Sequence, residues 1–173
     1  PWNHWMTFVH GPTICARLRQ KKHGRKDKML GMHVFGSDRI RIGPPLKSMI
    51  LNRKYAMESI TTAYDSGANY VVLCDTNGGT LPYELEEIIK NVKKVIPENR
   101  IGVHFHNDSD VATANSLEAI RLGVTQIQGT FNGLGERCGN VNLINVVSNA
   151  CIKLNYNMKP VSYTHLRAHE TDY

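Results

Sequence analysis

Between Leu51 and Leu154 the sequence switches three times from a helical stripe of apolar residues to a short apolar run that closes in polar residues and glycine. Such regular exchange of 3.6-residue and strand-like patterns points to a parallel α/β architecture. "LNRKYAMESITTAYDSG" places Ala56, Ile60, Ala63 and Tyr64 at helical spacing and stops at Gly67. "NYVVLCDTNGG" reads as a buried parallel strand entering its loop. "TLPYELEEIIKNVKKVIP" follows as a helix with Leu81, Leu85, Ile88, Ile89, Val92 and Ile96 on one face. Thr80 is its expected N-cap, with Pro82 in the first turn. Glutamates early and lysines late complement its dipole. "RIGVHFHND" is a second strand, "DVATANSLEAIRLG" a helix closed by Gly123, "TQIQGTFNG" a third strand and "NLINVVSNACIKL" a last helix.

Each strand ends in chemistry: "CDTNGGT", "HFHNDSD" and "GTFNGLGERCGN". Parallel strands present their carboxyl ends on one rim, where α/β barrels build their sites from the following loops. Side chains alternate across a strand, so His104 and His106 share one face and Val103 and Phe105 the other. Two imidazoles on one face can converge on a cation, neutral imidazole being the commonest metal ligand. A hydrogen-bonded pair without an ion satisfies the same short pattern. The loop "NGLGERCGN" packs Gly133, Gly135 and Gly139 around Glu136 and Arg137 and ends at Asn140, a hard oxygen donor. A surface turn explains the glycines but not the Glu-Arg pair and Asn140 on the histidines' rim.

Taken together, "LCDTNGGTLP", "GVHFHNDSDVATANSLEAI" and "GTFNGLGERCGNVNL" resemble the α-isopropylmalate synthase and homocitrate synthase family, in particular its citramalate synthase branch, from about Asn52 to Pro160. The resemblance implies a (β/α)8 TIM barrel, of which this chain holds about the last three strands with their helices. It implies an acyltransferase that condenses acetyl-CoA with a 2-oxo acid on a divalent metal, magnesium or manganese, with zinc as the other choice. His104 and His106 match the family's metal-binding histidines, Asn140 the asparagine that completes the ion's protein shell, and Thr76 a residue lining the 2-oxo acid site. Asp75, Glu136 and Arg137 match family positions whose roles could be to hold the loops. Pyruvate as acceptor would give citramalate, a precursor of isoleucine. "HNDSD" favours that branch over His-Asn-Asp-x-Gly. Isopropylmalate synthase, homocitrate synthase and a hydroxymethylglutaryl-CoA lyase-like enzyme, with Cys138 as its acid/base thiol, are the alternatives. The full-length protein is expected to be a cytoplasmic homodimer.

A whole barrel takes about 250 residues. The family's "LRDG" motif, with its metal-binding aspartate and substrate-binding arginine, is absent from residues 1–51, and neither Asp27 nor Asp38 stands in such a motif. The catalytic general base is not identified in this chain, which is expected to be inactive by itself. Residues 1–50 carry ten Lys/Arg against two acids, whereas residues 51–173 carry eleven against thirteen. The net +6 therefore belongs to the first segment, which is read as an unassigned basic stretch, out of frame or chimeric, with 51–160 as the barrel portion. A solvated run explains that charge better than a nucleic-acid arm, so no nucleic-acid partner is expected. No apolar run has membrane-crossing length. Cys15, Cys74, Cys138 and Cys151 lack disulfide-framework spacing, which favours free thiols. The tail from 161 to 173 contains "VSYTHLRAHET", which resembles an in-frame translation of a sequencing adapter. His165 and His169 within it are accordingly not read as a second metal site.

Overall fold

A computed structural model describes residues 4–8, 41–42 and 46–161. The basic run around Asp27, Asp38 and the tail histidines His165 and His169 lie outside the described residues. In chain order the elements are β1 (His4–Phe8), β2 (Arg41–Ile42), α1 (Leu46–Leu51), α2 (Arg53–Asp65), β3 (Tyr70–Asp75), α3 (Pro82–Val92), β4 (Ile101–Phe105), α4 (Ala112–Arg121), β5 (Gln126–Gly129), α5 (Leu143–Ser148) and β6 (Met158–Val161). The strands form one sheet in the order β2-β3-β4-β5-β1-β6, and every pairing is parallel. The three strands expected from sequence are its adjacent β3, β4 and β5, with α3 and α4 as the connections between them. This is part of a TIM barrel. Residues 1–50, which show no regular period, supply β1, β2 and most of α1. β6 reaches Val161, the first residue of the adapter-like tail.

The core lies between sheet and helices. Val71 and Leu73 of β3, Ile101, Val103 and Phe105 of β4 and Ile127 of β5 pack with Leu85, Ile88, Ile89 and Val92 of α3. At about 1.5–3 kcal/mol per fully buried large apolar side chain, this face dominates the favourable side of folding. Leu81, expected on that face, is instead partly exposed, because α3 starts one residue later than its stripe. Leu81 is also the N-cap, which corrects the assignment to Thr80. Glu84 reaches back to accept from the Leu81 N–H at 2.9 Å, while the Thr80 N–H donates to Asp75 Oδ2 at 2.9 Å and so is drawn away from the helix. Gly67 and Gly123 follow α2 and α4 in the left-handed conformation expected of helix stops. Among the described residues no helix is long and apolar enough to cross a membrane.

Strand register sorts the other face into rows. Val72, Gly102 and Gln126 are successive partners across β3, β4 and β5, as are Cys74, His104 and Gln128. None of these six joins the helix-side core cluster, and the glutamines are buried. Gln126 and Gln128 therefore stand on the sheet face that carries His104 towards the rim.

Candidate metal centre

The histidines project from the end of β4 because alternation aims Val103 and Phe105 at the helices. Phe105 is fully buried, whereas His104 and His106 are half-buried. Their ring centroids stand 5.3 Å apart with planes at 63°, an edge-to-face contact that places the two imidazoles side by side. Asn140 arrives from the third loop through an isolated antiparallel bridge to His106. Backbone bonds frame that bridge: the Val141 N–H donates to Phe105 O at 3.0 Å and the Asn107 N–H to Gly139 O at 2.9 Å.

The orientation of the Asn140 amide is fixed. Its Nδ2 donates to Leu134 O at 3.1 Å, and its Oδ1 is buried with no hydrogen-bond partner. His106 Nδ1 is in the same condition. A buried polar atom left unmet costs about 1–3 kcal/mol, and here two such atoms belong to residues that the bridge pairs. The glycines make this approach possible. A Cβ on Gly135 would meet Asn140 Cγ at 2.8 Å, and Gly139 has φ +90°, where an added Cβ would run into the Gly133 carbonyl. A soft imidazole nitrogen beside a hard amide oxygen suits magnesium, manganese or zinc. Among the described residues no three His, Cys, Asp or Glu gather as for a metal. His104 and His106 are in ring contact, and Asn140 is the backbone bridge partner of His106.

Thr76 is exposed on the loop after β3, and its carbonyl accepts from Arg137 Nη2 at 2.7 Å. Arg137 also grips Asp108 with two bonds, Nε to Oδ1 at 2.7 Å and Nη2 to Oδ2 at 3.0 Å. Thr76 is thus joined to the histidine loop through Arg137. Glu136 is exposed and contributes only a 4.0 Å ion pair to Arg137. Asp75 is buried, and its carboxylate holds the Thr80 N–H. Two residues escaped the sequence reading. Asn115, fully buried on α4, donates from Nδ2 to Thr80 O at 2.7 Å. Gln128, in register with His104, is fully buried with both amide atoms unpartnered. Each was signalled by a polar type at a position whose period calls for burial.

Burial first, and the Arg137 charge second, hold His106 below its ordinary 6.5, in the neutral form that can ligate. Its folded value lies under its unfolded one, so the stability it contributes is present above 6.5 and is lost as pH falls from there toward the folded value. The bonds from Arg137 hold Asp108 below 3.8, so its contribution disappears only in stronger acid. The urea midpoint is therefore expected to fall as pH drops below 6.5, and a His106→Gln variant should lack that decline. An identical decline in both proteins would assign it to another group.

Cys74, Cys138 and Cys151 are free. Burial pushes the Cys74 thiol up to about 12, which leaves it unreactive at neutral pH, while Cys138 is exposed on the third loop.

A family model described as HMGL-like matches residues 19–170. The (R)-citramalate synthase of Aquifex aeolicus is 49% identical over 109 residues, covering 63% of this chain and 21% of that protein. The 2-isopropylmalate synthase of Sulfurisphaera tokodaii is 36% identical over 96 residues, 56% of this chain and 25% of that protein. Among solved structures, the HMG-CoA lyase of Bacillus subtilis superposes with a TM-score of 0.57 at 22% identity, over 69% of this chain and 43% of its own. The chain spans about a fifth of the length of the citramalate synthase it matches.

Proposed function

This chain belongs to the HMGL-like family, and on that footing we propose that it is a portion of an acyltransferase that condenses acetyl-CoA with pyruvate to give citramalate, in the cytoplasm and as a homodimer at full length. The greater identity to the citramalate synthase than to the isopropylmalate synthase, 49% against 36%, favours the pyruvate-using branch. The observation that carries the chemistry is the pair of unmet buried polar atoms, His106 Nδ1 and Asn140 Oδ1, on bridge-partnered residues at the rim.

His104, His106 and Asn140 would hold the divalent cation, magnesium or manganese before zinc. When bound, the cation supplies electrophilic polarisation of the acceptor's keto group. Thr76, exposed beside this centre, lines the side on which the 2-oxo acid rests. In the net reaction a proton leaves the acetyl methyl and a carbon–carbon bond forms to the keto carbon, while the carbonyl π pair passes to the keto oxygen, which takes up a proton and becomes the hydroxyl. Water then cleaves the thioester to release CoA. The general base is assigned to no residue of this chain, and half-burial of the histidines limits competing water at the site.

Two measurements test this reading. Electron paramagnetic resonance of the 173-residue chain with Mn2+ is expected to show a bound ion, with affinity reduced at least about tenfold in His106→Ala and in Asn140→Ala. Equal affinity in all three would remove the centre. Residues 52–160 grafted over the matching stretch of the Aquifex aeolicus enzyme are expected to release CoA from acetyl-CoA with pyruvate, in preference to a branched 2-oxo acid. Cleavage of a hydroxymethylglutaryl thioester by that chimera, without condensation, would make the protein a lyase instead.

A further inference from the structure

Three loops form the rim, and their backbones are sewn together in sequence. The first, after β3, meets the second through the Ser109 N–H donating to Gly78 O at 2.9 Å. The second, after β4, meets the third through the Asn107 N–H donating to Gly139 O at 2.9 Å. Arg137 adds a different connection. One guanidinium spans from the third loop to both of the others, with two bonds to Asp108 and one to the Thr76 carbonyl, across 29 and 61 residues of sequence. The same group therefore fixes where the first loop stands relative to the other two.

Backbone conformation argues that this contact is selected rather than incidental. Arg137 has φ 55°, a left-handed conformation that a long side chain adopts at a cost and glycine adopts freely. A turn that needed only its shape would be better served by glycine. The planar fork of arginine, by contrast, matches a carboxylate with two parallel bonds and still has a donor left for a carbonyl; lysine cannot do this. Arg137 and Asp108 are partly solvent-exposed, so their charge attraction alone contributes little. The value of the contact lies in geometry.

The geometry points to Arg137 as a positioning residue that sets the placement of Thr76 against the His106–Asn140 pair and thereby the affinity for the acceptor acid. This deepens the proposed function and rests on it for the identity of the acid. The clamp itself does not depend on that identity. Positioning of the first loop by a residue of the third also predicts that the effect is felt at a distance in sequence, and on one substrate only.

The test compares Arg137→Gly and Arg137→Lys with the parent protein. In the full 173-residue chain, amide hydrogen exchange is expected to accelerate about tenfold over residues 76–79 in both variants, while β3 itself keeps its protection. A merely turn-forming role predicts the reverse for Arg137→Gly, because glycine relieves the left-handed strain. Unchanged or slower exchange in that variant overturns the clamp. In the chimera described above, KM for pyruvate is expected to rise about tenfold in Arg137→Lys with KM for acetyl-CoA unchanged. An equal rise for both substrates, or a loss confined to kcat, overturns the positioning role. If the unmutated chimera fails to condense acetyl-CoA with any 2-oxo acid, the functional reading fails, and the exchange comparison still decides the clamp.

Discussion

Phe105→Ala is expected to lower the free energy of unfolding by about 3–5 kcal/mol, the range for truncating a large aromatic side chain in a close-packed core. Phe105 is among the largest fully buried side chains, and it belongs to the cluster where β4 meets the helices. Its carbonyl accepts the Val141 N–H at 3.0 Å, so the strand that the ring anchors is also the strand to which the third loop is fastened. Two consequences should therefore appear together. Urea denaturation would show a lower midpoint with an unchanged slope, and Mn2+ affinity would fall although neither histidine had been altered. A loss below about 1 kcal/mol would mean that the ring is not enclosed as described.

The second large effect is expected at Gly139. Its φ is +90°, and an added Cβ would stand inside contact distance of the Gly133 carbonyl, a backbone atom that cannot swing aside. Left-handed backbone costs alanine about 1–2 kcal/mol before any clash is counted. Moving the chain to relieve that clash displaces the next residue, Asn140. Gly139→Ala should therefore destabilise the fold and also abolish Mn2+ binding. Gly79→Ala is the matched control, since nothing lies within 4 Å of its Cβ position and its φ is not positive. If both variants bound Mn2+ like the parent, the close approach of the third loop to the histidines would be refuted.

The parts of this architecture that were legible in the sequence are those specified by local period. The 3.6-residue stripe of Leu85, Ile88, Ile89 and Val92 announces α3, and alternation in "GVHFH" separates Phe105 from the histidines without reference to any other strand. Long-range contacts were not legible. Thr80 looks like a cap until Asp75, five residues earlier, takes its N–H. "GERCGN" shows an arginine in a glycine-rich turn, but nothing local says that its partners are Thr76 and Asp108. β2 is two residues long and exists through pairing with β3, too short to carry a period of its own. Asn115 and Gln128 gave a signal that was passed over, since polar types at core-facing or sheet-buried positions mark obligations that other elements must meet.

The rows that cross β3, β4 and β5 carry one last implication. Odd-numbered residues of β4 belong to the helix-side core and even-numbered ones to the opposite sheet face, so the two sets are interleaved yet chemically separate. A library that varies positions 74, 104 and 128 while keeping Leu73, Val103, Phe105 and Ile127 would change one row of that opposite face and leave the helix-side core as it is. Inserting a single residue within β4 would instead exchange the two sets wholesale, driving imidazoles into the oily layer and side chains meant for it toward water.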